Sequence, residues 1–205
     1  MDIIRDSVSK LETMIAHSGC EESGILLEVN PDIVNCQYER GACMVAFFGG
    51  RSAEYISKDP IRAQTRISFM FGAPLDSPAT RGAACAIINV ATGFFCLSRV
   101  LHSCPRSSHG SCRDQLLQEI TGKRIHCIGD IPDSVMNLGN FIVSTPKDSD
   151  IIFINGEGII AIDTGDIISA YKEIKRIICI GPSTAGVARL QNLEHWCPFG
   201  SPTIS

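Results

Sequence analysis

The sequence predicts an α/β protein, with a parallel sheet in the C-terminal half beside a smaller α+β lobe. Three observations predict it. Ile125 to Ile128, Phe141 to Val143, Ile151 to Ile154 and Ile177 to Ile180 are β-branched-rich runs of 3 to 4 residues without polar alternation, the mark of strands covered on both faces. A helical pattern separates the last two runs, giving a strand, helix, strand crossover. The first half instead mixes two helical patterns with short strands parted by turn residues.

Residues 3 to 18 place Ile4, Val8, Leu11 and Ile15 on one face of an amphipathic helix, with Gly19 positioned as its stop. Ile25 to Val29 and Cys43 to Phe48, separated by Asn30-Pro31 and followed by Gly49-Gly50, read as strands of a small antiparallel sheet. Ser77-Pro78 opens an apolar helix that Pro105 must end. Its 17 residues from Gly82 to Ser98 carry no charge. Small residues together with Asn89, Thr92 and Gly93 fit a helix buried inside a domain better than a membrane span. Ser111 and Asp114, spaced as a capping pair, precede a short helix ending at Gly122. Thr164 can cap a helix holding Ile167, Ile168, Tyr171 and Ile174 on one face. The division is residues 1–110 for the α+β lobe and 111–205 for the parallel-sheet domain, packed together.

The 205 residues are 44% hydrophobic, 20% charged and 6% aromatic. That composition excludes a collagen, a coiled coil and a low-hydrophobicity disordered chain. Eighteen Lys and Arg against 22 Asp and Glu give a net charge of −4, without the basic excess that a nucleic-acid partner requires. The acidic N-terminus lacks the form of a signal peptide, so the expected location is the cytoplasm. There the ten cysteines stay reduced. Cys85, Cys96, Cys127 and Cys179 lie in apolar runs, where a thiol packs as a small hydrophobe; Cys104, Cys112 and Cys197 do not.

Three stretches carry possible chemistry. In a parallel sheet, ligands bind beyond the carboxyl ends of the strands. Asn155-Gly156-Glu157-Gly158 follows the third run; its fit to a dinucleotide fingerprint is poor, since no clear helix opens there and no acid follows at the ribose distance. A plain turn is the competing reading, and Glu157 is either a solvated turn acid or one reaching into a cleft. Gly181-Pro182-Ser183-Thr184 follows the fourth run, offering backbone N–H groups and two hydroxyls to an anion, or only a helix cap. It also approaches a nucleophile elbow, but Ala185 takes the last glycine position and no Asp follows in the required order.

The third stretch joins the lobes. His102, Cys104, His109 and Cys112 are four soft-metal ligands in eleven residues, and His195 and Cys197 add two more if the C-terminus folds back. Thiolate and imidazole suit Zn, Fe or Cu, although no Cys-x-x-Cys is present. The alternative is that the imidazoles bond backbone and the thiols pack.

Gly122-Lys123-Arg124-Ile125-His126-Cys127-Ile128-Gly129, Asp150 to Gly156 with Thr164 downstream, and Ile180-Gly181-Pro182-Ser183-Thr184 together resemble the strand-loop signatures of the heavy-metal chelation domain family. The resemblance covers about 80 residues of the second half and is loose before residue 110. It implies a Rossmann-like C-terminal domain beside an N-terminal domain similar to the small α+β domain of enolase, with a ligand cleft between them. Ala185 stands where that family commonly has proline, and Glu157 where it often has threonine or a small residue.

The function expected is binding of a metal ion, a small anionic metabolite or a metallocofactor precursor in the interlobe cleft. The residues are Gly156, Glu157, Gly181, Pro182, Ser183 and Thr184, with the six His and Cys as metal ligands. The enzyme alternative is a transferase or cofactor-maturation activity in which Glu157 acts as acid or base, or a Cys as nucleophile. A purely structural or partner-binding protein is the third class. A small molecule or metal ion is the expected partner, without nucleic acid or membrane; a homodimer is the base expectation for a soluble oligomer.

Overall fold

The computed structural model describes residues 1–31, 42–131 and 141–203. The chain opens with helix α1 (Ile3–Ile15), capped by the Asp2 carboxylate, which accepts from the backbone of Ile4 and Arg5. Its buried stripe is Ile4, Val8, Leu11 and Ile15, the face that the periodicity predicts. The helix ends one turn before Gly19, which sits at φ +77° in the connection that follows.

Four strands follow: β1 (Gly24–Asn30), β2 (Ala42–Phe48), β3 (Arg51–Ser57) and β4 (Ala63–Arg66), in the antiparallel order β3-β2-β1-β4. Gly49 and Gly50, at φ +56° and +76°, make the tight turn between β2 and β3, where two consecutive positive φ values match the twist of the hairpin. In β1, Ile25 and Leu27 are buried while Leu26 and Glu28 are exposed. The sheet thus packs one face on the helices.

Helix α2 (Pro78–Phe94) has a full capping box at Ser77 and Thr80, and every residue from Arg81 to Gly93 is buried. It ends well short of Pro105, because Cys96 turns left-handed at φ +58°. Cys96 is therefore exposed rather than packed, contrary to the reading of its apolar run. Among the described residues, no helix is long and apolar enough to cross a membrane. Helix α3 (His109–Glu119) starts before the Ser111 cap that the sequence suggests.

The second sheet is parallel throughout, β5 (Ile125–Ile128), β6 (Ile151–Ile154), β7 (Arg176–Ile180) and β8 (Glu194–Trp196), in that spatial order. Among the described residues, the Phe141–Val143 run contributes one parallel bridge, Ile142 to Ile125. Because Ile125 also pairs with Ile151, Ile142 lies on the far side of β5 from β6. Ile142 and β6 thus flank β5 on opposite sides, which makes the carboxyl ends of β5 and β6 a topological switch point. Helices α4 (Gly156–Ile160), α5 (Thr164–Tyr171) and α6 (Ala185–Gln191) complete the layer. Glycine-rich residues 156–160 form a short helix, not the turn expected, because the Asn155 side chain caps it by accepting from Gly158 N–H.

One buried apolar cluster runs through both halves, from Ile4 and Leu11 of α1 through Ile88 of α2 to Ile152, Cys179 and Val187. A second, smaller cluster around Leu116, Phe153 and Ile178 fills the other face of the parallel sheet. The two sheets are thus bound through a shared core.

Candidate functional site

Strand β3 of the antiparallel sheet meets the loops at the carboxyl ends of β6 and β7. The buried Tyr55 hydroxyl donates to Gly156 O, and Ile56 N–H donates to Ser183 Oγ at 3.0 Å. From α2, Asn89 Nδ2 donates to Pro182 O at 3.2 Å and Ser183 O at 3.0 Å, while its Oδ1 accepts from Gly186 N–H at 2.8 Å. Thr184 Oγ1 donates back to Ile180 O and Gly181 O.

These bonds change the reading of Gly181, Pro182, Ser183 and Thr184. The loop is buried, with Ser183 at 2% and Thr184 at 0% exposure. Its polar groups are taken up by the protein itself, so it forms the joint between the sheets. Gly181 is at φ +83°, which lets the chain turn sharply out of β7. Gly156 lies against the same joint: a Cβ there would stand 2.8 Å from that of Ser183.

Exposed chemistry gathers instead at the switch point. Asn155, fully buried, donates from Nδ2 to Asp130 O at 2.7 Å and caps α4 with Oδ1. It zips the ends of β5 and β6 together. Gly158 fits beneath Ile128 O, where a Cβ would come within 2.0 Å of that oxygen. Just beyond this floor, Lys58 leaves the end of β3 and reaches Glu157 at 2.8 Å and Asp130 at 3.5 Å. The Glu157 side chain is only 17% exposed, against 65% for Lys58. The pairing with Glu157 raises the Lys58 ammonium above its ordinary value. Glu157 is thus a semi-buried carboxylate in the first turn of α4. Lys58, Asp130 and Asn155 were not legible as site residues, because only the packing of β3 on the second sheet brings them together.

The junction also assembles, in a different form. Leu101 O accepts from Glu54 N–H, and His102 pairs with Ser201 through both backbone groups. The C-terminal segment does fold back onto the junction, and the junction in turn bonds the outer edge of β3 at Glu54. The metal expectation does not follow from this. Among the described residues, no group of three or more His, Cys, Asp or Glu is arranged to hold a metal ion.

The six predicted ligands are placed as follows. His102 is buried at 1% and its ring is engaged at both nitrogens, Nε2 with Ser52 Oγ at 3.2 Å and Nδ1 with Glu54 Oε1 at 3.2 Å. His195 Nε2 bonds Gly181 O at 2.8 Å, and burial lowers its pKa. His109 Nε2 is buried without a hydrogen-bond partner among the described residues. Cys104, Cys112 and Cys197 lie near enough to influence one another electrostatically. Burial pushes the Cys197 thiol up to about 12 and raises Cys112, the latter countered in part by the Trp196 indole. Raised thiols of this kind are weak nucleophiles, because the thiolate is the reactive form. The structure thus brings Cys104, Cys112 and Cys197 near one another, while His102 and His195 bond other partners.

No protein-family model matches the sequence, and no curated protein sequence matches it. Among solved structures, the chain is similar to the crystal structure of a protein of unknown function from the DUF364 family of Pyrococcus horikoshii. The two are 16% identical, with a TM-score of 0.47, over 89% of this chain and 79% of that one.

Proposed function

We propose that the protein binds a small anionic metabolite at the interlobe seam, with Lys58, Glu157 and Asp130 as its contact residues. The observation that carries this reading is the ion triplet at the β5/β6 switch point, where open parallel sheets take their ligands. The Lys58 ammonium is the exposed member of the triplet, at 65% against 17% for Glu157, so an anionic group reaches it from solvent. Glu157 and Asp130 then accept hydrogen bonds from hydroxyl or amine groups of the same molecule. The Gly-Pro-Ser-Thr loop supports the site from beneath and does not touch the ligand.

The test is thermal unfolding in the presence of inorganic phosphate, pyrophosphate and small dicarboxylates. A ligand at a hundredfold its Kd stabilises by about 2.7 kcal/mol, raising Tm by about 5–10 °C for a chain of this size. The shift is expected with at least one of these anions and is lost in Lys58→Ala. No shift with any of them, or an equal shift in Lys58→Ala, contradicts the reading.

A further inference from the structure

At the other end of β3 from Lys58, three side chains far apart in sequence form a linear relay. Ser52 and Glu54 are two residues apart on a strand and so project from the same face. His102, held by the backbone bonds of the junction to Glu54 and Ser201, lies between them. Its Nε2 is 3.2 Å from Ser52 Oγ and its Nδ1 is 3.2 Å from Glu54 Oε1. The other Glu54 oxygen accepts from Ser103 N–H at 2.8 Å.

The relay is graded from inside to outside. Glu54 is 7% exposed and His102 1%, whereas Ser52 is half-buried and lines a surface cavity of about 460 Å³ with Leu26, Phe47, Gly49, Gly50 and Arg51. Burial alone raises the Glu54 carboxyl, but the bonds from His102 and Ser103 outweigh it and hold the group below its ordinary value. A carboxylate at Nδ1 fixes the proton on that nitrogen and leaves Nε2 to accept from the serine hydroxyl, the arrangement of roles in a serine, histidine, acid triad.

We propose that Ser52, His102 and Glu54 form a catalytic relay, with Ser52 the nucleophile toward esters of short apolar acyl groups. Ser52 Oγ bonds to the ester carbonyl carbon as its proton passes to His102 Nε2. The bond from that carbon to the leaving alcohol oxygen then breaks, and the oxygen takes the proton from Nε2. Water repeats the sequence on the acyl-serine, giving one proton to Nε2 and its oxygen to the carbonyl carbon. Ser52 departs with that proton, and a carboxylic acid and an alcohol are released. Leu26 and Phe47 supply apolar walls for the acyl chain. Arg51 and the Gly49-Gly50 turn bring a cation and peptide groups to the lining where the oxyanion forms. Glu54 is a positioning residue, acting through His102.

The experiment treats the full chain with a fluorophosphonate reagent, maps the modified residue by peptide mass spectrometry, and measures hydrolysis of p-nitrophenyl butyrate. Ser52 is expected to carry the phosphonyl group. Ser52→Ala, a small change at a half-buried position, is expected to keep the native circular dichroism while losing both the label and at least about a hundredfold in hydrolysis rate. Glu54→Gln is expected to lower kcat with KM unchanged and to move the acidic limb of the rate–pH profile. If Glu54→Gln does not fold, the Ser52→Ala comparison decides alone. Absence of label on Ser52 in folded protein, or hydrolysis at the wild-type rate in Ser52→Ala, overturns the proposal.

Discussion

Asn89→Ala is expected to destabilise the protein by about 2–4 kcal/mol, by removing bonds and leaving buried polar groups without partners. Asn89 is fully buried in the middle of α2, donating to the carbonyls of Pro182 and Ser183 and accepting from Gly186 N–H at the start of α6. The truncation leaves that N–H without its partner where α6 packs on α2 so closely that a Cβ on Gly186 would stand 2.9 Å from Ile88 and Thr92. Against a typical stability of about 5–15 kcal/mol, the loss is large. For a chain of this length it corresponds to a fall in Tm on the order of 10 °C, read by calorimetry. A Tm within a degree or two of wild type contradicts the role given to Asn89 as the tie between the lobes.

Arg81→Met is expected to cost about 2–4 kcal/mol, by leaving buried carbonyls and the part-buried Asp2 without their partner. Arg81 is 2% exposed; its Nη1 meets Asp2 Oδ2 at 2.6 Å and Leu75 O at 3.3 Å, and its Nε donates to Ile160 O. The guanidinium therefore ties α2 to the cap of α1, to the loop before α2 and to the end of α4. Burial raises the Asp2 carboxyl, but Arg81 and the N–H groups of Arg5 and Ile4 outweigh it, so the folded pKa lies below the ordinary 3.8. A carboxyl depressed on folding contributes stability above its unfolded pKa and loses it as pH falls through the folded value. The gap in Tm between wild type and Arg81→Met is thus expected to be full at pH 6 and to narrow below about pH 3.8. Calorimetry across that range checks it; a gap independent of pH removes Asp2 from the account.

Periodicity made much of the fold legible. Ile4, Val8, Leu11 and Ile15 fall on one buried stripe, and Ile151 to Ile154 is covered on both faces, because hydrophobic spacing reports burial directly. Where burial does not govern, the reading failed. Glu194, His195 and Trp196 form β8 by backbone pairing on the sheet edge, which side-chain pattern does not announce. Phe141 to Val143 has the apolar character of a strand, yet it makes one bridge.

The candidate site was harder for a different reason. Ser183 and Thr184 show in the sequence that hydroxyls are present, but not which groups take them; here they are Ile56 N–H and the carbonyls of Ile180 and Gly181. Asn89 reads in isolation as a blemish in an apolar helix, and its purpose exists only in the packed structure. His102 was singled out as a metal ligand from local density of His and Cys, while its actual neighbours, Ser52 and Glu54, lie about fifty residues earlier. A signal for them was present, since a serine and a glutamate at alternate positions of a strand share a face, but nothing local says that this outer face is covered by the junction.

On this reading a small molecule binds where Lys58, Glu157 and Asp130 meet. Native mass spectrometry on protein purified under mild conditions tests it most directly, comparing wild type with Lys58→Ala and Glu157→Gln. A non-covalent small-molecule mass is expected on the wild-type chain, lost or sharply reduced in both variants. An adduct of equal occupancy in all three proteins, or none on the wild type even after incubation with candidate anions, would contradict it.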